Sequence, residues 1–293
     1  MKMNFAIVTD TGANLPENII EENDILVLSL SFFVDDKEYY SYEPGKKTDL
    51  SEFYKMMREK KPIRTSLVNA ALAKEQIGTL LAEGKDVLYV GFSSGLSGTF
   101  QSVSIAMEEL KEEYPDRKIL AVDTLAAALG QGLLVYFAIQ QRKAGVQIED
   151  VYQWIMENRL HICHWFTVDD LFFLKRGGRI SAATAVVGTA LSIKPVLHVD
   201  DEGHLIPLSK VRGRKKSLIA LVDAMEKQIG SWRDKNDIIF ISHGDCIEDA
   251  QYVADLIKDR FGYESFLINH VGPTIGAHTG PGVVALFYMG DYR

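Results

Sequence analysis

Cysteine is scarce in this sequence. Of 293 residues only Cys163 and Cys246 are cysteines, and neither belongs to a C-x-x-C pair. A disulfide framework and a C-x-x-C zinc site are therefore not indicated, and two free thiols are typical of a cytoplasmic protein. With 47% hydrophobic residues, a chain of this length can bury a large core without a crosslink or a structural metal.

The sequence also lacks long apolar runs and an excess of basic residues. No run approaches the roughly 18 apolar residues of a membrane-spanning helix, and the N-terminal MKMNFAIVTD has neither the apolar region nor the cleavage site of a signal peptide. The formal net charge of −8 disfavours nucleic-acid binding, which needs a surplus of Lys and Arg. We expect a cytoplasmic protein with no nucleic-acid partner and no stable membrane insertion.

Short apolar runs alternate with helical patterns in the first half of the chain. Strands are predicted at Phe5–Val8, Ile25–Phe33, Val87–Val90 and Ile119–Val122, and helices at Asp49–Lys60, Thr99–Glu113 and about Leu125–Arg142. This alternation predicts an α/β fold in which a mostly parallel sheet carries helices on both faces.

The second half mixes hairpins with helices. Apolar runs on either side of Asp200–Gly203 predict a hairpin, and helix and strand patterns follow it, including a helix at Ile247–Phe261. We therefore expect two domains, an N-terminal α/β domain of residues 1–158 and a C-terminal α+β domain of residues 159–293, with a ligand cleft between them.

Loops rich in glycine and hydroxyl residues follow three of the predicted strands. Their sequences are TDTGAN, GFSSGLSGT and VDTLAAALGQG, and ligands in open α/β sheets bind at such carboxyl ends of strands. In the second loop, Ser93, Ser94, Ser97 and Thr99 supply hydroxyl donors, and its glycines let backbone N–H groups approach a ligand. The loop therefore predicts a cradle for an anion, or, more simply, a turn that caps the helix beginning at Thr99.

The same loop matches the G-x-S-x-G pattern of a hydrolase nucleophile elbow, with Ser93 as the nucleophile. Asp123 and His278 follow in the Ser, Asp, His order of that class. Three features disfavour a triad: the loop runs on through Leu96 before a helix begins, no HGGG-type stretch precedes it, and Asp123 comes early for the acid. A serine hydrolase that acts on acyl esters through Ser93 remains the alternative hypothesis.

Two further segments place hydroxyl groups near a candidate anion. Thr65 and Ser66 stand where a helix is expected to begin, and helix starts bind anions. His278 and Thr279 lie in the segment HVGPTIGAHTGPGVV, which we interpret as a polar loop, and the histidine can donate to an anion. By contrast, His161, Cys163 and His164 alternate across a predicted strand, so no metal site is expected.

Two basic segments stand out on this acidic chain. They are FFLKRGGRIS, which contains Arg179, and LSKVRGRKKS, which contains Arg212. Such clusters are either solvated surface or docking sites for an acidic or phosphorylated partner.

Several of these segments together resemble the DegV family of bacterial proteins. They are RTS at Arg64–Ser66, SSGLSGTFQS at Ser93–Ser102, FLKRGGRIS at Phe173–Ser181 and GPTIGAHTGPG at Gly272–Gly282, in addition to the opening IVTDTGANLP. The resemblance covers essentially the whole chain in the same order.

The resemblance implies two α/β domains with a long-chain fatty acid between them. It implies that the protein is no enzyme itself and needs no cofactor, but presents the acid to an ATP-dependent fatty acid kinase for acyl-phosphate formation and phospholipid synthesis. The carboxylate would be bound by Thr65, Ser66, Ser93, Ser94, His278 and Thr279. Arg179 and Arg212 would dock the kinase. The segment after RTS is Leu-Val-Asn, where the family commonly has Gln-Pro-Ser.

The sequence supplies apolar material for such a cavity. The segments AAALGQGLLVYFAIQ and ISAATAVVGTALSI are almost free of charge, and burying about fifteen methylenes at ~0.8 kcal/mol each favours binding by roughly 12 kcal/mol before ordering costs. Ordinary buried helices have the same composition, however. A small-molecule regulator or ligand sensor that binds a different anion in the same cleft is a second alternative.

Overall fold

The computed structural model describes residues 5–46, 48–181 and 192–293. The strands, numbered in chain order, are β1 (Phe5–Asp10), β2 (Leu26–Leu28), β3 (Ser31–Val34), β4 (Lys37–Tyr40), β5 (Ile63–Ser66), β6 (Asp86–Gly91), β7 (Ile119–Asp123), β8 (Ile162–Thr167), β9 (Ile193–Val199), β10 (Leu205–Arg212), β11 (Ile239–His243), β12 (Phe266–His270) and β13 (Val284–Met289). The helices are α1 (Glu17–Glu22), α2 (Leu50–Arg58), α3 (Ala70–Ala82), α4 (Thr99–Glu113), α5 (Leu129–Lys143), α6 (Ile148–Asn158), α7 (Phe172–Arg176), α8 (Arg214–Gln228), α9 (Ile247–Phe261) and α10 (Pro273–Thr279). Most of the candidate lining segment ISAATAVVGTALSI lies outside the described residues.

Three sheets organise these elements. A parallel sheet has the strand order β2-β1-β6-β7, and a mixed sheet has the order β10-β9-β8-β13-β11-β12. The strands of the parallel sheet all precede residue 158 and those of the mixed sheet all follow it, which confirms the expected α/β fold class; the domain boundary itself stays a prediction. The third sheet, β4-β3-β5, is antiparallel. Of its strands, only β3 falls in a segment that the sequence predicted as a strand.

Helix α5 connects the two large sheets. It contacts β1 and β6 on one side and β8, β11 and β13 on the other. Its residues are therefore buried around most of its circumference, including Leu133, Leu134 and Val135, which explains why its central part is apolar on more than one face. The helix begins at Leu129 and not near Leu125, because Leu125 and Ala128 have positive φ angles.

The small sheet packs against the C-terminal half of the chain. Helix α10 contacts β3, β5 and α2, and Phe32, Phe53 and Ala277 share one buried cluster. The hydroxyl of Tyr54 donates to the carbonyl oxygen of Val271 at 2.8 Å. These contacts place β5 beside α10 and so position the residues of the candidate site.

Two local predictions were wrong. Thr65 and Ser66 do not begin a helix: they end β5, where Thr65 pairs with Phe32, and α3 begins later because Asn69 caps it by accepting from the N–H groups of Ala71 and Leu72. The segment around His278 is not a loop but helix α10, which Pro273 starts at its first turn.

The two cysteines are not joined in a disulfide, as the sequence predicts. Cys163 and Cys246 are both free thiols. Across the described ranges, no helix combines the length and apolar character required to cross a bilayer.

Candidate functional site

A cavity of about 310 Å³ lies between the parallel sheet and the mixed sheet. Its volume is at the lower end of the range typical of small-molecule sites, about 300–1,000 Å³. Most of its wall is aliphatic or aromatic, including Leu30, Phe92, Leu174, Val199 and Ile275. Such a wall favours a ligand that is mainly hydrocarbon.

The cavity has a polar end that is open and an apolar end that is closed. Ser66, Leu67 and Gly98 line it and are exposed to solvent, so the mouth lies at the end of β5. Phe166 and Phe287 also line it and are buried, from which we infer that they form its closed, apolar end. An elongated ligand with one polar group would therefore place that group near β5.

Thr65 and His278 form a hydrogen-bonded pair at the polar end. The Thr65 hydroxyl lies 2.8 Å from Nε2 of His278, and both residues line the cavity. The pair forms because β5 and α10 pack against each other, although the two residues are distant in the chain. Thr279, next along α10, also lines the cavity, and its hydroxyl is 3.3 Å from the carbonyl oxygen of Ile275.

The surroundings of His278 favour its neutral form. Burial, together with Arg179 and Arg176, lowers its pKa to about 3. Its Nδ1 atom is buried and has no hydrogen-bond partner among the described residues. A Cβ at Gly177 would lie 2.0 Å from Nδ1, so the Gly-Gly turn of the GGRI segment is what lets the chain pass this close to the imidazole.

Arg179 brings a positive charge to the same end of the cavity. Its Nε donates to the carbonyl oxygen of Leu96 at 3.2 Å, and burial lowers its pKa. Within the described ranges it makes no ion pair with a carboxylate. Arg212, on β10, is exposed and does not line the cavity.

Ser93 and Ser94 are not brought to the cavity. Ser93 is buried, and its hydroxyl donates to the carbonyl oxygen of Gly203 at 2.9 Å, which ties the turn between β9 and β10 to this loop. Ser94 is exposed, and its N–H donates to Asp123. The loop instead presents Ser97, which lines the cavity and whose hydroxyl oxygen accepts from the N–H of Thr99 at 3.2 Å.

Of the three serines in this loop, Ser97 is the one that lines the cavity, and it was not among the residues that the sequence predicted for the carboxylate. The signal in the sequence is its position two residues before the first residue of α4, where a hydroxyl serves the helix start. Sequence spacing could not decide which of three nearby serines turns toward the cleft.

The side chains of a hydrolase triad are not assembled. Ser93 donates to a backbone carbonyl, Asp123 accepts from the N–H of Leu125, and His278 is bonded to Thr65. A working relay needs a hydrogen bond between the nucleophile and the histidine, and this arrangement does not provide one.

Cys163 and His164 lie on opposite faces of β8, as the strand pattern predicts, whereas His161 precedes the strand in a 3-10 turn. Nδ1 of His161 lies 2.9 Å from the carbonyl oxygen of Gly290, Cys163 is buried in the core on the far face of the mixed sheet, and His164 lines the cavity. They do not converge on one point.

Comparison with known proteins finds relatives over the whole chain. The family model for uncharacterised proteins of the DegV family matches residues 4–291. A DegV domain-containing protein of Clostridium perfringens is 45% identical over 289 residues, which cover 99% of this chain and 98% of that protein.

Solved structures of similar proteins share the fold. A DegV family protein from Thermus thermophilus, whose structure is described as showing fatty acid binding, is 29% identical with a TM-score of 0.85; the match covers 98% of this chain and 100% of that one. A fatty acid binding DegV family protein from Streptococcus agalactiae is 31% identical with a TM-score of 0.82, and the match covers 99% of each chain.

Proposed function

The chain belongs to the DegV family, and from this membership and the shape of the cavity we propose that it binds one long-chain fatty acid between its two large sheets. The acyl chain lies in the apolar part of the cavity and the carboxylate at the polar end. The observation that carries the proposal is the Thr65–His278 pair at the open end of an otherwise apolar cavity.

The carboxylate is held by neutral donors. Thr65 and His278 exchange their mutual hydrogen bond for bonds to the carboxylate, and the hydroxyl of Ser97, which also lines the cavity, adds a third donor. Ser66 and Thr279 lie at the same end of the cavity and are secondary candidates. A buried carboxylate without such partners would be very costly, so tail burial and head-group recognition act together.

Neutral donors also suit a carboxylate that must react. An arginine that clamps both oxygens would oppose their attack on a phosphoryl group, because the bidentate pair is strong and stabilises the unreacted anion. Arg179 is instead held by the carbonyl oxygen of Leu96. The protein therefore presents the acid to an ATP-dependent fatty acid kinase, which makes the acyl-phosphate used in phospholipid synthesis, and catalyses no step itself.

Arg179 and Arg212 dock the kinase in this proposal. Of the two, Arg212 gives the cleaner test, since it is exposed and away from the cavity. Arg212→Ala should slow acyl-phosphate formation by the kinase and leave fatty-acid affinity unchanged. Lys227→Ala, an exposed basic residue on α8, is the matched control and should change neither; equal effects of both variants would remove the docking assignment.

The binding proposal is tested by titrating delipidated protein with a fluorescent fatty acid and displacing it with stearic acid. Wild type should bind with 1:1 stoichiometry. Thr65→Val should weaken binding, whereas Thr79→Val, the same change at an exposed site on α3, should not. Saturable binding that is unaffected by Thr65→Val would place the ligand elsewhere.

A further inference from the structure

His164 is a polar side chain in the closed, apolar end of the cavity. It lies on β8 two residues before Phe166 and therefore on the same face of the strand. Its ring meets that of Phe287 edge to face, with the centroids 5.4 Å apart. All three residues line the cavity, and only 2% of His164 is exposed. A site that held nothing but hydrocarbon would gain nothing from an imidazole there.

One ring nitrogen of His164 is engaged and the other is not. Nδ1 lies 3.0 Å from the carbonyl oxygen of Ile162, and because a carbonyl oxygen only accepts, Nδ1 carries the hydrogen. Burial holds the pKa of the ring well below its ordinary value, and Arg293 acts in the same direction. Nε2 is therefore an acceptor, and within the described part of the chain no donor reaches it.

Gly130 makes room for this edge of the ring. A Cβ at Gly130 would lie 2.1 Å from Nε2, so a residue with a side chain would displace the imidazole. The N–H of Gly130 is directed to the carbonyl oxygen of Ala127 and is not available to Nε2. Nε2 faces Gly130 in this structure, so bonding a ligand requires the ring to rotate about the soft torsion between Cβ and the imidazole and turn Nε2 toward the cavity.

We infer that His164 selects fatty acids that carry a hydroxyl group in the distal part of the chain. The inference rests on the proposed fatty-acid site and adds the substrate class. With the carboxylate at Thr65 and His278, the distal part of the acyl chain reaches the closed end, where its hydroxyl donates to Nε2. A methylene group leaves that buried acceptor unpaired, which costs free energy.

The direction of the hydrogen bond separates hydroxyl groups from other polar substituents. An oxo group, an epoxide or a second carboxylate has only hydrogen-bond acceptors and cannot donate to Nε2 of His164. The selected class is therefore hydroxy fatty acids and not oxidised fatty acids in general. A site built to bond a hydroxyl discriminates against the analogue that lacks it, because its own polar group is then left without a partner.

The test is a displacement titration with wild-type protein and matched octadecanoic acids. The ligands are stearic acid, a positional series of hydroxy acids with the hydroxyl moved from the middle of the chain to its end, and the corresponding oxo acids. At one or more distal positions the hydroxy acid should bind about three- to ten-fold tighter than stearic acid, and the oxo acid at the same position should bind no tighter than stearic acid.

Two variants identify the residue responsible. His164→Leu should abolish the preference for the hydroxy acid, whereas Phe166→Leu, on the same face of β8, should change affinity for all the acids and leave their ratio unchanged. Since each ratio is taken within one protein, loss of stability in a variant does not affect it. In wild type, the ¹⁵N resonance of His164 Nε2 should move on binding the hydroxy acid and not on binding stearic acid.

Two results overturn the inference while leaving the fatty-acid site intact. In the first, stearic acid binds but no hydroxy acid binds better, which is expected if a buried water already bonds Nε2. In the second, the hydroxy and oxo acids gain affinity equally over stearic acid. If stearic acid itself does not bind, the proposed function fails, and the inference fails with it.

Discussion

The hydroxyl of Thr65 lies 2.8 Å from Nε2 of His278, although 213 residues separate them in the chain. The bond joins the edge of the small sheet to helix α10 at the mouth of the cavity. The low pKa of His278 favours its neutral form, and its Nδ1 has no partner in the described structure. A carboxylate that enters therefore displaces only the one hydrogen bond between Thr65 and His278. This contact is the basis of the first prediction.

Removing either member of the pair should weaken fatty-acid binding. His278→Ala and Thr65→Val should each cost about 1.5–3 kcal/mol, because each removes a hydrogen bond to a charged group, which corresponds to roughly 10- to 150-fold in Kd. Calorimetric titration with stearic acid measures both. The double variant should lose less than the sum, since the two residues share one site; strict additivity would show that they bind the ligand independently.

Ser93 should contribute more to the stability of the fold than to binding of the fatty-acid carboxylate. Ser93→Ala leaves the buried carbonyl oxygen of Gly203 without its donor, which should lower the free energy of unfolding by about 1–3 kcal/mol. Ser94→Ala, at an exposed neighbour, should stay within about 0.5 kcal/mol of wild type. Urea unfolding compares them. A loss of ester hydrolysis in Ser93→Ala, with stability unchanged, would instead support the hydrolase hypothesis.

Ser97 should bind the carboxylate in place of the serines named from the sequence. Ser97→Ala should reduce fatty-acid affinity by roughly 10- to 150-fold, since its hydroxyl lines the polar end of the cavity and a hydrogen bond to a carboxylate is worth about 1.5–3 kcal/mol. The same displacement titration applies, with Ser94→Ala as the control. Loss of affinity in Ser94→Ala with Ser97→Ala unaffected would restore the original assignment.

Stability should fall as the solution is acidified. Burial lowers the pKa of five histidines, to about 3 for His278 and about 4 for His243, and in the same direction for His164, His198 and His270. Their unfolded pKa is about 6.5, so between these values the unfolded chain binds more protons than the folded one. Their contribution is complete above about pH 6.5 and is lost progressively as the pH falls toward the folded pKa values.

Thermal unfolding of the ligand-free protein between about pH 7 and about pH 4 measures this dependence. The melting temperature should fall with the pH, and His278→Gln should show a shallower decline than wild type. A melting temperature that is flat across this interval would contradict the assignment of neutral, buried histidines.

Periodic helices were predictable from the sequence and irregular ones were not. The apolar periodicity of Thr99–Glu113 and Ile247–Phe261 gave the observed bounds of α4 and α9, because one face of each packs on a sheet. Strand β4 was not predicted, since its residues are all exposed and show no apolar alternation. Helix α10 was not predicted, because its glycines and Pro273 indicate a loop when the packing around them is unknown.

The site was predictable in composition and not in detail. Residues of the hydroxyl-rich loop after β6, Thr65 and His278 do line one cavity, although His278 lies on helix α10 and not at a strand end. Which serine faces the cavity depends on the φ and ψ angles of the loop, and those are set by contacts such as that of Ser93 with Gly203, far away in the sequence. Arg212 likewise is exposed on β10, the edge strand of the mixed sheet, a position that its charge alone does not indicate.

The most direct test of the account is native mass spectrometry of freshly purified protein. The account predicts a mass excess equal to one long-chain fatty acid per chain, reduced or absent in the Thr65→Val, His278→Ala double variant. A wild-type protein without any bound lipid, and without saturable uptake of added stearic acid after delipidation, would contradict it.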